Sequence, residues 1–136
     1  MGQKLEVLLR KEIGPLPLVG DIRGRGLFWA VEFVLDKDLK TPFPPEIDFC
    51  TQVVKHSLDL GLNILGNLGH TGDYQVDHVL VCPPYIVTDS ELEEIVFLLK
   101  AAIMKTSQPF VKKSKYINVA DKVQSDVKLD EIEIVG

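Results

Sequence analysis

Apolar and polar positions follow the clearest pattern in the sequence DHVLVCPPYIVTDSELEEIVFLLK, which begins at Asp77. The short β-branched run at residues 78–82 predicts a buried strand. Pro83 and Pro84 should end this strand, because proline has no backbone N–H to donate to a sheet. The pattern therefore predicts a strand that enters a stiff turn.

A helix is predicted directly after this turn, over residues 89–105. Thr88 and Glu91 have the spacing of a capping box, in which each residue satisfies a backbone N–H of the other. The apolar positions that follow recur at helical spacing and form one stripe: Leu92, Ile95, Val96, Leu99 and Ile103.

Upstream, the pattern predicts a short helix over residues 3–12 and two neighbouring strands over residues 18–23 and 27–35. The helix carries Leu5, Leu8, Leu9 and Ile13 on one side. Arg23 ends the first of these strands, and Gly24 and Gly26 follow on either side of Arg25, where glycine permits a sharp reversal or a bulge. In the second strand Trp29, Val31 and Phe33 share one face, and Phe28, Ala30, Glu32 and Val34 share the other.

A second long helix is predicted over residues 46–60, with a stripe formed by Ile47, Cys50, Val54 and Leu58 and with Gly61 after its end. Residues 62–65 are predicted to form a short strand. The sequence GNLGHTGDYQV at residues 66–76 is rich in glycine and polar residues and predicts a long loop, where a ligand would be sought first.

These elements predict an α/β fold, with a small, mainly antiparallel sheet and with the helices at 46–60 and 89–105 packed on one face. Residues 1–105 are predicted to form the domain, with its core in about 18–105. Residues 106–136 contain no apolar stripe long enough to require a core position, so they are predicted to be an appended, flexible tail.

Composition excludes several classes of protein. The chain has 136 residues, 46% of them hydrophobic, a net charge of -5 and two widely separated cysteines. This charge argues against nucleic acid as a partner, and the cysteine spacing argues against a metal site. The two cysteines are typical of reduced thiols in a cytoplasmic or organellar protein. No signal peptide or membrane-spanning segment is recognised, which predicts a soluble protein with no membrane partner.

Two ordered motifs carry a family resemblance. VGDIRGRGLFWAVEFV at residues 19–34 and DHVLVCPPYIVTDSELEEIV from Asp77, with Gly61-Leu62 between them, strongly resemble the C-terminal small domain of class III aminotransferases. In that family, VxDVRGxGL precedes a strand ending in Glu, and a later strand ends in Pro-Pro before a capped helix. The resemblance covers residues 19–100.

The resemblance implies a pyridoxal-phosphate enzyme of fold type I, which transfers an amino group to a keto acid or aldehyde and functions as a homodimer. The cofactor is held by a large catalytic domain that supplies the Schiff-base lysine. No lysine here stands in such a context. The chain alone is therefore predicted to be inactive, with no catalytic, cofactor-binding or metal-ligating residue of its own. Its expected partner is a large domain or a full-length homologue.

The resemblance also bears on the substrate. Some members of the family hold a substrate carboxylate with a small-domain arginine, but the corresponding positions here are Leu80 and, in the preceding segment, Leu65 and Gly66. This argues against a plain α-amino acid or ornithine-type substrate.

Three polar residues are implied to lie near the active-site mouth of a complete enzyme: His70, Asp73 and His78. Each also has a purely structural interpretation. His70 would be a solvated loop residue, Asp73 part of an Asx turn, and His78 a hydrogen-bonding residue at a strand end.

Two functions remain open at this point. The chain is either part of an aminotransferase or a non-catalytic interaction module, or truncated gene product, derived from that family. In both cases a face that is normally covered by a large domain should be exposed. We therefore expect the isolated chain to bind a hydrophobic dye or to self-associate.

Overall fold

The computed structural model describes residues 1–44, 46–71 and 74–113, and within 67–75, 112 and 113 only the backbone. The chain begins with helix α1, Gly2–Leu8, which continues as a π-helical turn over Leu9–Ile13. The Gly14 N–H donates to the Leu9 carbonyl over 3.0 Å and ends this turn. The predicted first helix is confirmed, with Leu5, Leu9 and Ile13 fully buried.

Four strands form one antiparallel sheet in the order β1-β2-β4-β3. They are β1 (Val19–Arg25), β2 (Phe28–Phe33), β3 (Leu65–Thr71) and β4 (Tyr74–Val81). Helices α2 (Phe49–Asp59) and α3 (Asp89–Lys113) complete the fold. The predicted α/β class with a small antiparallel sheet is confirmed.

The helices cover one face of this sheet. On β2 that face is formed by Trp29, Val31 and Phe33, none of them more than 4% exposed. These side chains belong to one core with apolar residues of α1, α2 and α3. A Cβ atom at Gly66 of β3 would lie 2.5 Å from the Val54 side chain, so α2 crosses the sheet at close range there.

The predicted stripe of α2 was partly wrong. The residues of this helix that are buried are Phe49, Cys50, Val53 and Ser57, whereas Leu58 is 58% exposed. The sequence is equally consistent with a stripe one position earlier, which includes Phe49 and Val53. This is the stripe that is buried, because Phe49 packs against Phe33 and Phe43.

The end of α2 was predicted correctly. Gly61 has a φ of +95°, which favours glycine. The Leu62 N–H donates to the Ser57 carbonyl over 2.8 Å, and the Gly61 N–H donates to the Leu58 carbonyl over 2.9 Å. This pair of hydrogen bonds is a Schellman motif.

The predictions of a strand at 62–65 and a loop at 66–76 were wrong. Most of this segment forms the β3–β4 hairpin, with Gly66 opposite Val79 and Thr71 opposite Tyr74. Its glycine and asparagine residues have low strand propensity, but pairing with β4 satisfies the backbone of β3, and the close approach of α2 requires glycine at position 66.

Helix α3 crosses the predicted boundary between domain and tail. It extends to Lys113, eight residues past the predicted end at 105. Thr106 and Ser107 are buried, and the Phe110 ring contacts the rings of Phe43 and Phe49. Residues 114–136, the rest of the predicted tail, lie outside the described residues.

Candidate functional site

The turn between β1 and β2 shows why its glycines are needed. Gly26 has a φ of +59°, and a Cβ atom at Gly24 would lie 2.3 Å from the Phe28 carbonyl oxygen. The Trp29 indole N–H then donates to the Gly26 carbonyl over 2.7 Å. These glycines therefore shape the backbone that anchors the buried tryptophan.

Arg23 of the same motif lies on the face of the sheet opposite the helices, which we call the open face. Its Nη1 donates to Asp21 over 2.8 Å and to Glu32 over 2.7 Å. These two hydrogen bonds raise the pKa of Arg23 above its ordinary value, Glu32 having the larger effect. Arg23 thus pairs with one carboxylate on each of two adjacent strands and offsets one of their two negative charges.

A row of polar positions crosses the open face. In the strand register Asp21 lies opposite Glu32, Glu32 opposite His78, and His78 opposite Asn67. His78 is half-buried, and its Nδ1 lies 3.2 Å from the Val76 carbonyl oxygen. The row places His78 on this face among polar neighbours.

Of the three predicted mouth residues, only His78 has its side chain within the described part of the chain. The His70 backbone pairs with Gln75, and His78 lies three residues further along β4, about 10 Å away at the usual rise of a strand. The side chain of His70 and the whole of Asp73 lie outside the described residues. The predicted mouth role of these residues stays a prediction.

The family resemblance implies a carboxylate-binding arginine in some members at two positions, and these two positions lie next to each other in the sheet. Leu65 lies directly opposite Leu80, and Leu80 lies opposite Ala30 on its other side. Three apolar residues therefore form a second row, beside the polar one. Gly66 belongs instead to the covered face, where it approaches α2.

The turn after β4 was predicted correctly. The Thr88 N–H donates to the Glu91 carboxylate over 2.9 Å, and the Glu91 N–H donates to the Thr88 hydroxyl over 3.2 Å. Pro83 and Pro84 follow the strand, and the Pro84 carbonyl accepts the Val87 N–H over 3.1 Å. Between Pro84 and Thr88 two large side chains extend into solvent: Tyr85 is 91% exposed and Ile86 is 86% exposed.

Asp77 is a functional candidate that the sequence pattern did not single out. It is 2% exposed on the covered face, and its carboxylate accepts the Cys50 N–H over 3.1 Å. Helix α2 has no side-chain cap of its own, because Asp48 before it has a left-handed backbone with a φ of 52°. Asp77 therefore caps α2 from strand β4. In a strand, Asp77 lies on the same face as Val79 and Val81, and this alternation was the signal in the sequence that its side chain faces the core.

Asp77 should also make stability depend on pH. Burial raises the pKa of its carboxyl above the ordinary value, although the backbone hydrogen bonds from α2 oppose this. The folded state then holds the proton more tightly than the unfolded state does. The free energy of unfolding therefore falls as the pH rises from the pKa of Asp77 in the unfolded state to its higher pKa in the folded state. Asn cannot titrate but can still accept the Cys50 N–H. The free energy of unfolding would be measured in urea from pH 3 to pH 7. Over this range that of the wild type should fall relative to that of Asp77→Asn, and a rise would contradict the raised pKa of Asp77.

The described residues do not fit a pyridoxal-phosphate site. Such a site needs a lysine held in a water-poor pocket, yet none of the lysines whose side chains are described is buried. Lys4 and Lys100 instead pair with Glu93 and Glu12 at 3.1 Å each. Lys37 donates to the carbonyl oxygens of Gly14 and Leu16.

The same part of the chain offers neither a metal site nor a membrane-spanning helix. The described residues contain no group of three His, Cys, Asp or Glu side chains that could hold a metal ion. Among them, no helix has both the length and the apolar character needed to cross a membrane.

Comparison with known proteins gives a consistent result, although no family model matches the chain. An aminotransferase of Schizosaccharomyces pombe is 39% identical over 106 residues, which are 78% of this chain and 23% of the relative. An aminotransferase of Gibberella zeae is 36% identical over 104 residues, 76% of this chain and 20% of the relative.

Solved structures agree with these relatives. A PLP-bound aminotransferase mutant from Vibrio fluvialis has a TM-score of 0.71 and 32% identity over 80% of this chain and 22% of its own. A transaminase from the marine bacterium Virgibacillus has a TM-score of 0.72 and 26% identity, over 79% of this chain and 24% of its own.

The antiparallel sheet with helices on one face and a proline turn leading into a capped helix defines an aminotransferase-type small domain. The chain belongs to the aminotransferase family. It spans about a fifth of the length of the relatives that it matches.

Proposed function

We propose that this chain supplies the C-terminal small domain of a class III, pyridoxal-phosphate-dependent aminotransferase. The observation that carries the proposal is the match to an aminotransferase at 39% identity over 78% of the chain, together with structural similarity to transaminases over the same share. The complete enzyme would transfer an amino group to a keto acid or aldehyde. It would function as a homodimer, in the cytoplasm or the mitochondrion.

In that enzyme the described residues would shape the substrate side of the site and leave the cofactor to the large domain. Leu65 and Leu80 lie opposite each other and offer no cation to a substrate carboxylate. This supports a substrate that is not held by a small-domain arginine. His70, Asp73 and His78 remain the proposed polar residues at the mouth.

A stand-alone interaction module, or a truncated gene product, is the alternative function. The exposed apolar residues Phe28, Leu65, Tyr85 and Ile86 favour a partner in either case. Only the aminotransferase proposal requires that the chain can replace the matching segment of an active enzyme.

A chimaera tests this requirement. The 106 matching residues of the Schizosaccharomyces pombe relative would be replaced by the corresponding residues of this chain. We expect the chimaera to transaminate and to retain pyridoxal phosphate after dialysis. The isolated chain should do neither, because it offers no buried lysine among its described residues and surface lysines are protonated and poor nucleophiles at neutral pH.

Transaminase assays should use a panel of amino donors, with the unaltered relative as the positive control. A soluble chimaera that is inactive on donors used by the relative would contradict the proposal. Retention of one equivalent of cofactor by the isolated chain, lost on a single Lys→Ala substitution, would contradict the expectation that the isolated chain does not hold pyridoxal phosphate.

A further inference from the structure

An apolar stripe lies exposed along helix α3, on the side of the domain opposite the open face. Phe97 is 68% exposed and Met104 is 50% exposed. They are seven residues apart, so they stand almost in line, about 10 Å apart along the helix, with Ala101 between them. We call these three residues the α3 stripe. Large apolar side chains that are exposed together mark an interaction surface.

A groove between α1 and α3 runs beside the α3 stripe. Leu8, Val96 and the α3 stripe line this groove, and its volume is about 570 Å³. Two ion pairs of 3.1 Å each join the helices across it: Lys4–Glu93 and Lys100–Glu12. Because these ion pairs fix α1 beside α3 without covering the stripe, the groove has room for the side chains of a partner.

Two charged residues flank the α3 stripe on the side of the helix that faces away from α1. Glu94 and Lys105 are both exposed, and neither makes an ion pair within the described residues. They are eleven residues apart, so they also stand almost in line, about 16 Å apart along the helix. This distance is too long for an ion pair, so Glu94 and Lys105 of one chain cannot pair with each other.

The α3 stripe and the two flanking charges have the same centre. The midpoint between Phe97 and Met104 and the midpoint between Glu94 and Lys105 both lie within about 1 Å of position 100 along the helix. When a second copy of α3 lies antiparallel about this point, Phe97 of each copy faces Met104 of the other. Glu94 of each copy then faces Lys105 of the other. In a parallel pair, like charges would face each other and repel, so the charges select the antiparallel arrangement.

We propose that the α3 stripe is an interface between two copies of this chain, which associate with their α3 helices antiparallel. Phe97 of each copy enters the groove of the other beside Met104, and the contact between Glu94 and Lys105 forms twice at the rim. Because the same surface is used on both copies, the assembly closes at a dimer. This inference does not rest on the proposed function, since it uses only side chains of α1 and α3.

The interface is small, so the association should be weak. About three turns of one helix face bury less than the roughly 800 Å² per partner of a standard stable interface. We expect the 136-residue chain to sediment as a monomer below about 10 µM and increasingly as a dimer toward about 500 µM.

Sedimentation equilibrium of single variants tests which surface is used. Phe97→Asp should keep the chain monomeric over this whole range, because each copy would bury a carboxylate in the groove of the other. Phe28→Asp is the matched control, since Phe28 is an aromatic residue that is 61% exposed on the open face, and it should leave the association unchanged. Both side chains are mostly exposed, so neither variant should lower the thermal unfolding midpoint by more than a few degrees.

Charge reversal tests the antiparallel arrangement itself. Glu94→Lys and Lys105→Glu each turn both rim contacts into repulsion, so each variant alone should raise the dissociation constant about fivefold or more at low salt. In an equimolar mixture, both contacts between unlike copies again join opposite charges, and association should return to about the wild-type level. Mixing could not restore association if the variants had merely damaged the fold of a single copy.

Each outcome either supports or overturns the proposal. A chain that stays monomeric up to about 500 µM would overturn it. A dimer that Phe28→Asp dissociates and Phe97→Asp does not would place the contact on the open face instead. Charge variants that mixing does not rescue would exclude this antiparallel arrangement. A monomer that dimerises only when the chain ends after Lys113 would assign the groove to residues 114–136, and would likewise overturn the proposal.

Discussion

Replacing Phe49 by Ala should lower the free energy of unfolding by about 3–5 kcal/mol, the usual cost of removing a buried aromatic ring. Phe49 is fully buried, and its ring lies 4.5 Å from that of Phe43 and 5.0 Å from that of Phe33. Its ring also contacts Phe110 at 5.7 Å. One substitution therefore leaves a cavity where α2, the sheet, the loop after β2 and the end of α3 meet.

Urea unfolding followed by circular dichroism measures this loss. The matched control is Phe97→Ala, which removes an aromatic ring that is 68% exposed and should change the unfolding free energy by only about 0.5 kcal/mol. A loss below about 1 kcal/mol for Phe49→Ala would mean that the four rings do not form the packed cluster described above.

Ending the chain after Lys105 should cost about 3 kcal/mol or more, although the sequence pattern places the domain boundary there. The truncation removes Phe110, whose ring lies 5.4 Å from Phe43, and each such aromatic pair contributes about 0.5–1.5 kcal/mol beyond area burial. It also removes Thr106, whose hydroxyl donates to the Ala102 carbonyl and accepts from His56 Nδ1 over 2.7 Å. That bond is worth about 1 kcal/mol and joins α2 to α3.

A chain ending after Lys113 is the control for this truncation. It keeps every contact described for α3, and it removes only residues that the sequence pattern assigns to a tail without a core position. Its unfolding midpoint in urea should match that of the full chain. Equal stability of the chain ending at Lys105 would show that the last two turns of α3 contribute nothing and that the boundary predicted from sequence is correct.

Local signals in the sequence were sufficient for the proline turn, the capping box of α3 and the glycine end of α2. Thr88 and Glu91 stand three residues apart before an apolar stripe, and they form the predicted reciprocal hydrogen bonds. Gly61 ends α2 as predicted. These features depend on backbone groups within a few residues, so spacing and residue type determine them. The family motifs are equally local, so the aminotransferase resemblance follows from residue order and spacing.

Non-local contacts were not predictable in this way. The hairpin of β3 and β4 contains glycines and polar residues that indicate a loop, and only pairing across the sheet makes them strands. The same holds for Asp77, which has the pattern of a polar strand residue but caps a helix that starts 28 positions earlier in the chain. Of the candidate site, the sequence supplied His78 and Arg23 but not the row that joins them through Glu32.

By itself the sequence determined most of the helices and strands, the capping box of α3, the glycine end of α2 and the family, because each of these depends on short-range spacing. The tertiary structure alone decided which stripe of α2 is buried, where α3 ends, and that Leu65, Leu80 and Phe28 share one exposed face. The physical reason is that burial and cross-strand register depend on which distant segments pack together. Neighbouring stripes and competing registers are nearly equal in local free energy until that packing selects one.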